Sequence, residues 1–321
     1  MTLYTPIRRN DIEAAHTRVA PYIHRTPVLT CRSIDALAGC SLFFKCENFQ
    51  KIGAFKIRGA MNAALSLPPE VARRGLATHS SGNHAQAVAY AARQLGVKAY
   101  IVMPENSPEV KVNAVRGYGG EITFCAPNQA AREAALQDIV ARTGAEFIHP
   151  YDDDRVICGQ ATCAKELLED VPNLDALIAP VGGGGLLSGT SLSAHHWLPG
   201  GRVYAGEPEG AADAVLSLRS GKVEKAPYIQ TIADGLLTTL SERTLRIISQ
   251  HVRDIFTVSD AEILVALRLV YERMKIVLEP SGAVPLAAVL RSPGVFAGKR
   301  VGVILSGGNV DLGRLATWFG P

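Results

Sequence analysis

Short apolar runs alternate with longer amphipathic stretches from Gly75 to the end of the chain. Gly75–His79, Ala99–Met103, Glu121–Cys125 and Glu146–His149 read as strands. Helical spacing fills the gaps over Ala85–Leu95, Glu109–Tyr118 and Ala130–Thr143. The rhythm resumes with strands at Ala176–Val181, Arg202–Glu207, Asp254–Val258 and Arg300–Leu305, and with helices at Asp260–Met274 and Gly282–Leu290. Ahead of this pattern, Asn10 followed by Glu13 three residues later predicts a helix start, the helix running to about Val19. Strands alternating with helices of this length predict an α/β fold of parallel sheets flanked by helices. No fixed-period repeat or low-complexity tract interrupts it.

Composition narrows the class. The chain has 321 residues, 47% apolar and 20% charged, which suits one large or two modest domains and excludes disorder. A balance of 33 basic against 30 acidic residues argues against nucleic acid or a membrane surface as partner. The six cysteines have no CxxC spacing and read as free, buried thiols of a reducing compartment. The N-terminus has no apolar leader core, and Arg8-Arg9 is followed by Asn-Asp-Ile-Glu, against a twin-arginine signal. Ala176 to Gly201 is free of charge and long enough to span a bilayer, but Pro180 and four consecutive glycines break it. The expected location is the cytoplasm.

Three strand ends carry Gly/Ser loops: Ser80-Ser81-Gly82-Asn83, Gly182–Gly185 and Ser306-Gly307-Gly308-Asn309. Ligands in such folds sit at the carboxyl ends of strands. Gly182–Gly185 joins a strand to a helix beginning near Leu186, so backbone N–H groups and the helix start make a phosphate site. The other reading is a tight packing turn. Gly189 is followed by Thr190 where a P-loop needs Lys, and the glycine spacing does not fit a dinucleotide fingerprint. Ser80–His84 reads equally well as an N-cap cluster or a ligand loop. Lys56 lies between apolar neighbours; a desolvated lysine becomes nucleophilic, although a lone lysine there is ordinarily a surface residue. Together, a buried lysine, a glycine cup and polar strand-end loops are what pyridoxal phosphate needs.

With these motifs in view, the chain resembles the fold type II (tryptophan synthase β-like) pyridoxal-phosphate enzymes, in the branch of serine racemases and serine/threonine dehydratases. The similarity runs from about Asp11 to Leu312. It is carried by Phe43–Gln50, Ala54–Ala60, Ser80–Gln86, Pro180–Gly185, Thr231–Gly235, Glu279-Pro280 and Leu305–Asp311. The motifs differ from those of the cysteine synthase branch, which argues against β-replacement. The resemblance implies two domains with the cofactor in the cleft between them: a large one of residues 1–74 and 148–321, and a small mobile one of residues 75–147. It implies that Lys56 forms the Schiff base, Phe55 packs beside the ring and Asn83 donates to the ring hydroxyl. Gly182, Gly183, Gly184, Gly185 and Leu186 would hold the phosphate, and Ser306 would face the pyridine nitrogen. Ser81 matches the second acid–base residue of racemases. Ser80, Ser81, Gly82, Asn83 and His84 would meet the amino acid substrate, as would Arg132, whose position resembles a carboxylate-binding arginine.

The family's divalent-cation site matches Glu207, the Ala211 carbonyl and Asp213, an all-oxygen set suited to magnesium or calcium. The implied activity is serine racemisation with accompanying serine/threonine dehydration. The alternatives are an L-threo-3-hydroxyaspartate dehydratase, a threonine dehydratase without racemase activity, and an idle cofactor-binding protein. A homodimer is implied, and a nucleotide effector is a candidate partner. Two departures stand out. Ala54 replaces a serine common in relatives. Tyr151-Asp152-Asp153-Asp154 follows His149-Pro150 where mammalian-type racemases have an amide and dehydratases resemble this chain. An isoleucine-controlled threonine dehydratase, with a regulatory domain after Pro321, is not expected.

Overall fold

The computed structural model describes residues 6–320; the first five residues, part of the segment read above for a leader, and Pro321 lie outside it. Among the described residues ten strands form two sheets. The larger has the order β1 (Val28–Leu29), β2 (Ser41–Cys46), β10 (Arg300–Leu305), β7 (Ala176–Pro180), β8 (Arg202–Pro208) and β9 (Asp254–Val258). The smaller has the order β5 (Gly120–Cys125), β4 (Ala99–Pro104), β3 (Leu76–His79) and β6 (Glu146–Phe147). Every pairing is parallel except β1 with β2. The four consecutive strands β3–β6 thus form a sheet inserted between β2 and β7.

β7 is buried at every position between β10 and β8, as a continuous apolar run in a two-sided sheet should be. Helix Asp154–Asp170 packs between helices Lys56–Leu65 and Gly185–Trp197. It approaches the first so closely that a Cβ on Gly159 would lie 2.4 Å from the Arg58 carbonyl. That crossing fixes the helix whose first residue is Lys56. Beneath it lies a wholly buried ionic network. Arg58 donates to Glu47 at 2.7 and 2.8 Å and to Glu166 at 2.8 Å, and Lys45 reaches Glu166 at 2.8 Å.

Several boundaries differ from the sequence reading. The first helix starts at Arg9, not Asn10, because the Asp11 carboxylate accepts the Arg8 N–H at 2.7 Å. Glu13 instead pairs with Arg9 along the helix surface. The expected strand to His149 ends at Phe147. The helix expected over Asp260–Met274 is α-helical only to Leu269 and closes in a π turn over Val270–Met274, followed by Lys275 at φ 60°. The charge-free stretch from Ala176 divides into β7, the glycine turn and a helix. No helix among the described residues is long and apolar enough to cross a membrane. All six cysteines are free thiols, five of them buried.

Candidate active site

The three Gly/Ser loops converge on one cavity of about 1220 Å³. That exceeds the roughly 300–1,000 Å³ of ordinary ligand pockets and leaves room for two small molecules together.

Lys56 opens its helix with Phe55 at the cap, and its Nζ lies 5.2 Å from the Phe55 ring centroid. The amine donates to the Pro150 carbonyl at 3.0 Å. Burial pulls its pKa down to about 8, against the opposing pull of Glu279. Phe55 is fixed in turn, since its N–H donates to the Ser306 carbonyl at 3.0 Å. Ser306 directly follows β10 and is 3% exposed.

Gly182–Gly185 follows β7. Gly184 sits at φ 86° and caps the helix Gly185–Trp197 without any side-chain cap. The first amides of that helix therefore have no partner among the described residues. Neighbours press on the loop: a Cβ on Gly183 would lie 2.3 Å from the Tyr151 ring, and one on Gly184 would lie 2.7 Å from Leu240. Thr238 accepts the Gly183 N–H at 2.9 Å.

Ser80, Ser81 and Gly82 link β3 to the helix Asn83–Leu95, whose start likewise has no side-chain cap. Ser81 lines the cavity, and its hydroxyl has no partner among the described residues. Asn83 donates to both Glu279 oxygens, at 2.9 and 3.2 Å, and accepts from Asn309 at 2.8 Å. Burial raises the Glu279 pKa to about 7. His84 lies at the cavity edge but is 2% exposed, and burial holds it neutral. Its Nε2 faces the Ile148 carbonyl at 2.9 Å and must carry the proton, so only an acceptor nitrogen remains for any ligand. Arg132 lies across the cavity on the helix Gln129–Thr143, with no ion pair among the described residues and a buried, unpartnered Nε.

The expected cation ligands sit behind this cavity rather than on its wall. Both Glu207 oxygens accept amides that open the helix Ala214–Ser220, from Ala214 at 2.6 Å and Val215 at 3.0 Å. Asp213 accepts the Leu240 N–H at 3.1 Å, and Ala211 is buried beside them. Burial raises Glu207 to about 8, with repulsion from Asp213 adding to it, and Asp213 to about 6. Among the described residues neither acid has a cationic partner, and no cluster of three or more His, Cys, Asp or Glu is arranged to hold a metal.

Sequence reasoning placed no role on Glu279, Asn309, Tyr151 or His79, all of which line the cavity. It also missed Lys111, which reaches from the small sheet's side to Asp234 on the opposite rim at 2.5 Å. Glu279, Asp234 and Asn309 lay inside quoted motifs, the one signal that pointed to them.

A family described as "Pyridoxal-phosphate dependent enzyme" matches over residues 19–307. A beta-hydroxyaspartate dehydratase of Paracoccus denitrificans is 51% identical over 305 residues, covering 95% of this chain and 97% of that protein. A serine racemase of Dictyostelium discoideum is 49% identical over 312 residues, covering 95% and 96%. Among solved structures, maize serine racemase superposes with a TM-score of 0.93 at 45% identity, covering 96% of this chain and 95% of that one.

Proposed function

Because the chain belongs to the pyridoxal-phosphate dependent enzyme family, we propose that it is a serine racemase. In this reading it also dehydrates serine and threonine to a keto acid and ammonia. The observation that carries the reading is the meeting of Lys56, Ser81, Ser306 and the glycine loop on one cavity.

The groups present suit the cofactor. The unengaged amides of Gly184, Gly185 and Leu186 form a cradle for a phosphate. Lys56 supplies an amine that burial makes easy to deprotonate, and Asn83 and Ser306 supply polar partners for a ring. When bound, pyridoxal phosphate anchors the substrate nitrogen and provides the electron sink that acidifies the Cα–H bond.

The chain's own residues do the rest. Lys56, whose pKa burial lowers to about 8, takes the Cα proton on one side. Ser81, with an unengaged hydroxyl, returns a proton on the other. The helix start at Asn83 offers N–H groups and partial positive charge to the substrate's α-carboxylate. Ser306 is a neutral hydroxyl, so it does not hold a ring nitrogen protonated as an aspartate would. Racemisation and dehydration then compete, and about 1.4 kcal/mol between their barriers shifts the product ratio tenfold.

Two further parts belong to the proposal. Magnesium or calcium binds at Glu207, the Ala211 carbonyl and Asp213, where two buried carboxylates lack positive charge. Residues 75–147 form a small domain that moves on the rest, with Lys111–Asp234 spanning its edge. The resemblance adds a homodimer, a nucleotide effector and a cytoplasmic location.

The test is product analysis with L-serine and magnesium, quantifying D-serine and pyruvate together. Both products support the reading. Pyruvate alone makes the protein a dehydratase. Neither product removes the serine reading.

A further inference from the structure

The large sheet carries a second cavity, of about 340 Å³, at the end away from the three loops. It opens among the residues that lead into β8, β9 and β10, whereas Gly182 and Ser306 lie past the opposite ends of β7 and β10. Arg202 starts β8, Arg253 directly precedes β9 and Lys299 directly precedes β10. Their main chains are held in place. The Arg202 N–H donates to the Asp175 carbonyl at 3.1 Å, and the Arg253 N–H donates to the Val203 carbonyl at 2.7 Å. The Lys299 ammonium rests on the Val295 carbonyl. Neither the Arg202 nor the Arg253 guanidinium has a hydrogen bond or ion pair among the described residues. One carboxylate shares this wall. Asp254 accepts the N–H of its neighbour Ile255 at 2.9 Å and pairs with no cation among the described residues. Asp175, at the head of β7, is already engaged by the Arg300 N–H at 2.8 Å.

Tyr204 makes this more than a charged rim. It lines the cavity yet is only 3% exposed. Its ring stacks on Phe256 at 5.7 Å and meets Phe296 edge-on at 5.2 Å, which fixes its direction. Its hydroxyl has no hydrogen-bond partner among the described residues. A buried tyrosine hydroxyl ordinarily has one, and a ligand in the cavity would supply it. Three cations against one carboxylate leave two positive charges on the lining. A phosphate group, with about two negative charges, balances them, and its oxygens can accept from a hydroxyl and two guanidinium forks together. Phe256 and Val295, both half-buried, add an apolar flank. We infer that Arg202, Tyr204, Arg253 and Lys299 form a binding site for a phosphate dianion, free or carried by a small ester, separate from the cavity that holds Lys56. The volume lies at the low end for ligand pockets, which limits an ester to a small body.

The test is calorimetric titration of the holoenzyme, whose glycine loop the cofactor fills, with inorganic phosphate, phenyl phosphate and succinate. Saturable binding of one phosphate group per chain is expected, weakening as salt rises. Arg202→Gln and Arg253→Gln should each lower the affinity on the order of 10- to 100-fold. Tyr204→Phe keeps both ring contacts and should lower it about tenfold. Arg202 and Arg253 are exposed, so their variants read the site even if Tyr204→Phe fails to fold. Tighter binding of phenyl phosphate than of inorganic phosphate assigns the site to an ester, and equal binding assigns it to the free ion. Absence of saturable binding to wild type, a preference for succinate, or affinities unchanged in the arginine variants would each overturn the inference.

Discussion

Asn83 and Glu279 stand 196 positions apart, yet the Asn83 amide donates to both Glu279 oxygens, at 2.9 and 3.2 Å. The contact joins the start of a helix on the small sheet to the start of a helix on the large one. Asn309 completes it by donating to Asn83 and to the Ile52 carbonyl, each at 2.8 Å. The orientation of Asn83, which opens a helix on the small sheet, is thus set by two groups from the large sheet's side.

The buried Glu279 makes stability depend on pH. Its folded pKa is raised to about 7, above the ordinary carboxylate value of about 4.3 that holds in the unfolded chain. The unfolded chain therefore loses the proton first, and stability falls as pH rises from about 4.5 through 7, then levels. Glu279→Gln keeps an acceptor for Asn83 but cannot ionise. Melting curves of the cofactor-free proteins at pH 5, 6 and 7 should converge at pH 5, with the variant the more stable at pH 7. Parallel curves would show that Glu279 does not titrate there.

Lys56 must be uncharged to attack an aldehyde. With its pKa lowered to about 8 by burial, the rate of cofactor capture by the apo chain should climb with pH and reach half its maximum near 8. Stopped-flow absorbance measures this. Lys56→Ala should show no covalent capture at any pH, with activity lower by on the order of 10²–10⁴-fold or more.

Ser81→Ala separates the two products. D-serine formation from L-serine should disappear while pyruvate formation persists. Chiral chromatography beside a pyruvate assay reads both. D-serine output equal to wild type would leave the second proton without Ser81 as its carrier.

Calcium or magnesium should raise the melting temperature and EDTA should lower it again. Binding to the folded form alone is worth about 2.7 kcal/mol at a hundredfold excess over Kd. Asp213→Asn removes one ligand charge and should blunt the shift. Scanning calorimetry across a cation titration decides it.

The alternation of strands and helices after Gly75 was legible because period and turn residues are local signals. So were the three strand-end loops, since glycine and serine at those positions serve backbone needs. Less legible were features made by distant pairings. β1 and β2 lie before the regular pattern, and they join the sheet only because β2 pairs with the distant β10 and β1 with β2. The Lys45–Glu47–Arg58–Glu166 network spans up to 121 positions and has no periodicity to reveal it. The partner of His84 was also hidden, since the Ile148 carbonyl that takes its proton lies 64 positions away, just past the strand that pairs with β3. Tyr151 was noted only as a departure, and its packing on Gly183 explains why that glycine admits no side chain.

The Lys111–Asp234 ion pair crosses the mouth of the cavity, with its side chains 24% and 40% exposed. So open a pair is worth on the order of 1 kcal/mol or less and weakens as salt rises. Under the proposed movement of residues 75–147, so weak a clasp holds the mouth only loosely, and the tempo of product departure is expected to rise with the ionic strength of the surroundings.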